Sequence, residues 1–278
     1  MSRLDFSLLT LRHLLSLEAC TRCGVCVPAC PVVAATSQEH STALNKITLW
    51  RHAWRKGATE TQRHGAADAA YDCTLCGRCA AVCPVLIDTH DLWLAQRRQL
   101  ARAELAPEAI LHLADRLRET GNIAGQPAES RTAWQENLPH PPAREGNPDV
   151  LLFVGCLSSL YPQAFAVPRA LLALLRLAGI SVGTLGTDEL CCGFPLHASG
   201  LPEHARELAQ RNLAAIEATG ATTVVTPCPS CYHTLSRYYP RWLGHELSVR
   251  FLHGVEYLEE LADRLRPHLR PLTLRVTY

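Results

Sequence analysis

Thirteen cysteines stand in a chain of 278 residues and fall into three groups. Cys20, Cys23, Cys26 and Cys30 form the first, Cys73, Cys76, Cys79 and Cys83 the second, and Cys156, Cys191, Cys192, Cys228 and Cys231 the third. The first two groups repeat one pattern, C-x2-C-x2-C-x3-C-P, as Cys-Thr-Arg-Cys-Gly-Val-Cys-Val-Pro-Ala-Cys-Pro and Cys-Thr-Leu-Cys-Gly-Arg-Cys-Ala-Ala-Val-Cys-Pro. At this spacing three thiolates wrap three irons of one cube, while the fourth points away and serves the other cluster. The pattern therefore predicts two [4Fe-4S] clusters with exchanged ligands: Cys20, Cys23, Cys26 and Cys83 around one, and Cys73, Cys76, Cys79 and Cys30 around the other. Gly24 and Gly77 let the backbone approach the inorganic core, and Pro31 and Pro84 turn the chain away after the last ligand. A pair of zinc sites is the alternative, since C-x2-C alone is common in zinc modules. Four ligands close a zinc site, however, and give the crossed pattern no use.

The elements that must position these groups are legible around them. Leu8, Leu11 and Leu15 make an apolar stripe before the first motif. Leu44, Ile47 and Arg51 recur at helical spacing within 42–55, with Trp50 and Trp54 four apart, and Ile110, Leu113, Ala114 and Leu117 make a stripe after the second motif. The motifs are thus expected in an all-helical frame, with the tryptophans as core packing rather than electron-transfer stations. Arg51, Arg55, Lys56 and Arg63 read as a solvated face that offsets cluster charge rather than as a binding patch. Gly121, Gly125, Pro127, Pro139, Pro141, Pro142, Gly146 and Pro148 mark 121–148 as a linker.

Beyond it, strand signals at 150–154, 180–185, 222–226, 249–252 and 272–278 alternate with helix signals at about 164–178, 202–220 and 255–265. Such alternation implies an α/β domain with a parallel sheet. Cys156 then follows the first strand, Cys191 and Cys192 the second, and Cys228 the third, so all can gather beyond the carboxyl ends of the strands. Five thiolates there make a soft site for iron–sulfur chemistry or zinc. A thioredoxin-like reading of Cys228-Pro-Ser-Cys231 gives Cys191 and Cys192 no role. His197 and His233 lie beside these elements as candidate proton donors or simple loop residues, and Arg22 and Arg78 as candidates for tuning potential or for solubility.

Composition excludes several other classes. Lys plus Arg (27) balance Asp plus Glu (26), and a net charge of +1 gives no electrostatic reason for a nucleic-acid partner. With 47% hydrophobic and 19% charged residues the chain is globular in type. An odd cysteine count on so long a chain does not suit a disulfide scaffold. The start, Met-Ser-Arg-Leu-Asp-Phe, lacks the pattern of a secretory signal. The most apolar stretch, 150–179, is interrupted by Pro162, Pro168, Arg169 and Arg176, so no transmembrane segment is expected. No G-x-G-x-x-G fingerprint is present, so hydride chemistry belongs to another subunit.

Cys156, the run Cys191-Cys192-Gly193 with Pro195 beyond it, and Cys228-x2-Cys231 resemble the cysteine-rich CCG module of heterodisulfide reductase. Preceded by two [4Fe-4S] motifs, they resemble the D subunit of that enzyme. Its relatives are the iron–sulfur subunits of glycolate oxidase, anaerobic glycerol-3-phosphate dehydrogenase, lactate oxidation and sulfite-reductase-linked membrane complexes. The resemblance covers essentially the whole chain. It implies an α-helical ferredoxin domain with two [4Fe-4S] motifs over 1–120, the linker over 121–148, and an α/β CCG domain with a mainly parallel sheet over 149–278. It also implies an iron–sulfur electron-transfer subunit of an oxidoreductase complex, not catalytic alone. Electrons would pass through two cubanes to or from a CCG site where Cys156, Cys191, Cys192, Cys228 and Cys231 hold a non-cubane [4Fe-4S] cluster or zinc. The partners implied are a flavoprotein or a membrane cytochrome subunit, and the location cytoplasmic, peripheral on the inner face of the membrane. Two alternatives stand beside this: the iron–sulfur subunit of a flavin-dependent glycolate, lactate or glycerol-3-phosphate dehydrogenase passing electrons to quinone, and a non-catalytic scaffold with a zinc-bound module. Members of this type carry two CCG modules in tandem, and Leu274-Arg275-Val276-Thr277-Tyr278 resembles the strand that opens a second. One module is therefore expected here, with the second truncated, absent or supplied by another polypeptide.

Overall fold

The computed structural model describes residues 6–142, 147–271, 273–275 and 277. The chain divides into two compact units, one of Met1–Ala114 and Pro195–His204, the other of Asp115–Phe194 and Ala205–Tyr278.

The first unit is helical: α1 (Leu11–Ala19), α2 (Pro31–Thr36), α3 (Ala43–Trp54), α4 (Glu60–Tyr71), α5 (Arg78–Ala81) and α6 (Thr89–Arg102), after which α7 (Glu108–Thr120) begins. Short polar side chains start the longer helices by accepting an otherwise unmet backbone N–H: Thr10 from His13, Thr42 from Asn45, Thr59 from Gln62 and Asp88 from Asp91. Ala66, Ala67, Ala69 and Ala70 present a small-residue surface on α4, and Ile47, Trp50, Leu92, Trp93 and Leu100 fill the core with them. Trp50 is a core residue, as expected, and its indole N–H donates to Gln99 at 2.9 Å. Trp54 lies 4.8 Å from it, ring centroid to ring centroid, and is only partly buried.

The expected leucine stripe on α1 is not the buried one. Leu11 and Leu15 are 71% and 60% exposed, whereas His13 and Leu17 face inward. The reason is polar: the His13 ring accepts the Thr10 N–H at one nitrogen and meets Asp91 at 2.8 Å with the other, which fixes the rotation of the helix. On α7 the expected face holds, with Ala114 and Leu117 buried and Ile110 and Leu113 half-buried.

The second unit carries a four-stranded, all-parallel sheet in the order β2-β1-β3-β4, from β1 (Val150–Leu152), β2 (Val182–Thr184), β3 (Thr223–Thr226) and β4 (Arg250–His253). Successive side chains of a strand point to opposite faces. Accordingly Val150 and Leu152 join Leu171, Leu172 and Leu175 of the helix Ala166–Leu177, while Leu151 and Phe153 join Ala209 and Ile216 of the helix Pro202–Ala218. Both faces are covered, which is why these strands read as continuous apolar runs. β1 connects outward to β2 on one side and β3 to β4 on the other, so the strand order reverses between β1 and β3. That is where open α/β sheets place their ligands.

The stretch 121–148 is not a free connector. It contains a 3-10 helix, Ala128–Gln135, in which Arg131 and Trp134 are 2% and 1% exposed, and Trp134 packs in the core beside Val150 and Leu152. Its residues 143–146 lie outside the described residues. The strand expected over 272–278 does not appear at 273–275 or 277, and Leu272, Val276 and Tyr278 lie outside the described residues. Among the described residues no helix is long and apolar enough to cross a membrane.

Candidate metal centres

The two motifs of the first unit share one backbone. Cys20 ends α1, Cys30 opens α2 directly before Pro31, Cys79 sits in α5, and Cys83 follows it. Arg22 and Leu75 occupy the same place in their motifs and both adopt positive φ, 58° and 56°, followed by Gly24 and Gly77 at 80° and 75°. A left-handed non-glycine residue is strained and persists where the surroundings demand it. Its recurrence at matched positions marks one loop form used twice. An added Cβ at Gly24 or Gly77 would meet no protein atom within 4 Å, so it is the positive φ and not crowding by protein that calls for glycine at both.

The thiols ring two cavities. Cys20, Cys23, Cys26, Cys79 and Cys83 line the first; Cys30, Cys73, Cys76 and Cys79 line the second. Each cavity thus holds three cysteines of one motif and the last cysteine of the other, and Cys79 reaches both. Cys79 is in contact with Thr89, Sγ to Oγ1 3.0 Å. Burial pushes the Cys26 thiol up. The residues fit the group that the pattern predicts: four soft donors surround each cavity, and a [4Fe-4S] cluster takes four thiolates. Among the described residues no three His, Cys, Asp or Glu side chains are placed to hold a single metal ion.

Buried cations stand behind the second motif. Lys46, on α3, is 1% exposed, lies over the Trp93 ring at 4.1 Å, and hydrogen-bonds Cys73; burial pushes its ammonium down and Cys73 opposes this. Arg97 of α6 donates to the carbonyls of Ala70, Tyr71, Cys73 and Ala198, and so ties down the entry to the motif. Arg22 and Arg78 are exposed.

In the second unit the five cysteines meet beyond the carboxyl ends of β1, β2 and β3. Side-chain hydrogen bonds run from Cys156 to Cys191, on to Cys192, to Cys231 and to Cys228. Hydrogen bonds from Cys191 and Cys231 pull Cys192 down to about 5, and the one from Cys231 pulls Cys228 down to about 6. Cys156 is raised by its bond to Cys191 and by burial. For Cys191 the bond with Cys156 lowers, but that with Cys192 and burial outweigh it. Along this chain of contacts Cys192 and Cys228 are drawn toward the thiolate, the metal-binding form, while Cys156, Cys191 and Cys231 are held toward the thiol.

Arg131 closes this site. Its guanidinium donates to Cys156 Sγ at 3.2 Å, Gly121 O at 3.1 Å, Ser159 Oγ at 3.4 Å and Glu189 at 3.2 Å. Burial alone would lower it, yet Cys156 and Glu189 carry it above its ordinary value. Glu189 also accepts the N–H groups of Val154 and Gly155, each at 2.8 Å. Asn212 accepts the Leu190 N–H at 2.9 Å and donates to Cys191 O at 3.1 Å, holding the CC pair in place. After the helix Pro229–His233, which carries Cys231, comes a π-helical turn, Thr234–Tyr238. Such turns are frequent at functional sites.

Of the candidate histidines, His233 is exposed and meets Tyr238 edge-on at 5.0 Å, while His197 is buried in the first unit's segment Pro195–His204. Sequence reading missed Arg131, Glu189, Asn212 and Lys46. Lys46 had a signal: it shares the helical stripe of Ala43, Ile47, Trp50 and Ala53, where a lone lysine is out of place. Arg131 had none beyond an aromatic neighbour in a polar stretch.

The comparisons with known proteins bear on the same residues. The family described as 4Fe-4S dicluster domain matches 16–87, and the family described as Cysteine-rich domain, CCG, matches 150–236. The chain is 34% identical over 281 residues to the D subunit of the dihydromethanophenazine:CoB–CoM heterodisulfide reductase of Methanosarcina acetivorans, covering 94% of this chain and 67% of the relative. It is 30% identical to the B subunit of the fumarate reductase (CoM/CoB) of Methanothermobacter marburgensis, over 94% of this chain and 50% of that protein. It is 27% identical to the EtfAB:quinone oxidoreductase of Syntrophomonas wolfei, over 96% and 42%. No solved structure matches.

Proposed function

The chain belongs to the family of heterodisulfide reductase D subunits and is an iron–sulfur electron-transfer protein, and on that premise we propose how its own residues divide the work. Cys20, Cys23, Cys26 and Cys83 hold one [4Fe-4S] cluster and Cys73, Cys76, Cys79 and Cys30 the other. The exchange of last cysteines between the two cavities is the observation that carries this reading. Each cluster, when bound, takes up and releases one electron at a time, at a potential set by its charge, hydrogen bonds and exposure. Cys23 and Cys76, the exposed member of each motif, give each site an edge open to a partner.

Cys156, Cys191, Cys192, Cys228 and Cys231 hold the third centre. Five converging thiols exceed the four of a structural zinc site and of a cubane alike, which fits the non-cubane iron–sulfur cluster that the resemblance implies. Arg131 offsets the negative charge that such thiolates gather, and Glu189 and Asn212 fix the loops that deliver them. Electrons then run between the dicluster unit and this centre, and a partner subunit, a flavoprotein or a membrane cytochrome, supplies or removes them. The place of the chain is the cytoplasm, at the inner face of the membrane through that partner. A second reading, an iron–sulfur subunit between a flavin enzyme and quinone, is favoured by the relative named EtfAB:quinone oxidoreductase.

Iron, sulfide and zinc analysis of anaerobically purified protein, with electron paramagnetic resonance, tests the assignment. About eight irons in two cubanes plus about four more are expected. About eight irons with one zinc would make the five-thiol centre structural.

A further inference from the structure

The two cavities of the first unit match in their cysteines and differ in what else lines them. Beside its cysteines the first is largely apolar, with Val25, Leu44, Ile47, Val85 and Ile87; its one basic residue, Arg22, is exposed, and its buried hydroxyl, Thr89, already meets Cys79 at 3.0 Å. The second is lined by Lys46, Ser41 and Trp93, which are 1%, 2% and 1% exposed. Among the described residues, Ser41 Oγ and Trp93 Nε1 are buried without a hydrogen-bond partner. A buried donor left unmet costs about 1–3 kcal/mol, so two of them on one cavity wall point to an acceptor inside. Exposure does not separate the cavities, because each motif has one exposed cysteine and three partly buried ones.

We propose that Lys46, Ser41 and Trp93 make the two sites unequal, so that the site of Cys30, Cys73, Cys76 and Cys79 takes the first electron and the site of Cys20, Cys23, Cys26 and Cys83 the second. This rests on the two-cluster reading given above. One-electron reduction adds one negative charge to a site that four thiolates already make negative. A buried ammonium and N–H or O–H donors stabilise that added charge, and in a medium of low dielectric they do so strongly. Among the described residues the first cavity holds no buried cation and no unmet buried donor, its Thr89 hydroxyl being taken up by Cys79. Lys46, Ser41 and Trp93 are positioning residues: Lys46 bonds the ligand Cys73, Ser41 and Trp93 would donate to the sulfur of a bound cluster, and together they set the order in which electrons are accepted.

The test is a potentiometric titration of the full-length protein, loaded anaerobically and followed by electron paramagnetic resonance, with iron and sulfide measured on each sample. Wild type should show two separate one-electron steps. Lys46→Met should lower the upper step by at least tenfold in reduced-to-oxidised ratio at fixed potential, about 59 mV for one electron, and leave the lower step in place. Lys46→Arg should restore most of the separation, and Ser41→Ala should move the same step by less. Full iron with an unmoved upper step, or movement of the lower step instead, overturns the proposal. Wild-type protein that loads only one cubane overturns the two-cluster reading itself. If Lys46→Met does not take up its cluster, Cys83→Ala and Cys30→Ala decide. Cys83→Ala keeps only the site beside Lys46 and must reduce at the higher potential; the reverse order overturns the assignment.

Discussion

Arg131 is 2% exposed, and the negative groups that hold it are Cys156 and Glu189, with Cys191 beyond them. A guanidinium buried this deeply is tolerated because its donors are met by a carboxylate, a carbonyl, a hydroxyl and a sulfur at once. Arg131→Met would leave the Glu189 carboxylate with two backbone amides and no counter-charge. Breaking a buried pair from one side costs about 3–5 kcal/mol, so urea unfolding of the second unit should shift by that amount. The double variant with Glu189→Gln should lose less than the sum of the two single changes, since removing both charges leaves neither one stranded. Additive losses would mean that the two side chains do not act as a pair.

At the scale of the elements, the motifs show why some of this site was legible and some was not. Each group of four cysteines lies within one loop and the turn after it, so its chemistry is written at a fixed local spacing. Arg131 reaches Cys156 only because a 3-10 helix is folded against the sheet, and a Pro- and Gly-rich stretch carries no periodicity to announce that. The strand signal at 150–154 holds, but the strand itself is only Val150–Leu152, of which Leu151 and Leu152 pair on both sides. Val154 leaves it and donates to Glu189 instead, which steers the chain toward Cys156. Two substitutions test the loop form. Cys30→Ala should deplete the cluster of the second motif and spare that of the first, read from the two cubane signals; loss of the first-motif cluster instead would disprove exchanged ligation. Gly77→Ala forces a Cβ into φ 75°. It should lower stability by about 1–2 kcal/mol and shorten iron retention against a chelator, while an unchanged rate would show that the turn tolerates a side chain.

At the scale of the whole molecule, the order of residues along the chain is not the order of the units. Pro195–His204 follows the CC pair directly in sequence yet belongs to the first unit. There Arg97 donates to Ala198 O at 2.7 Å, and the Tyr71 hydroxyl donates to Ser199 O at 3.1 Å. No periodicity in a ten-residue segment could have shown this, because the contact is made with helices about a hundred positions away. Gly200 is the point of closest approach: its φ is 89°, and a Cβ there would stand 2.4 Å from the backbone carbonyl of Arg97. The obstacle is main chain of a helix, which cannot rotate aside as a flexible side chain would. Arg97 in turn anchors the carbonyls of Ala70, Tyr71 and Cys73, the approach to the second motif. Gly200→Ala should therefore cost about 1–3 kcal/mol as an overpacked contact, plus the strain of its left-handed backbone. The loss should appear as lowered iron content and a lowered cubane signal at the second motif, more than a hundred positions away in sequence. Cubane content equal to wild type, with the CCG centre impaired instead, would show that the segment serves the cysteines it follows rather than the motif it packs behind.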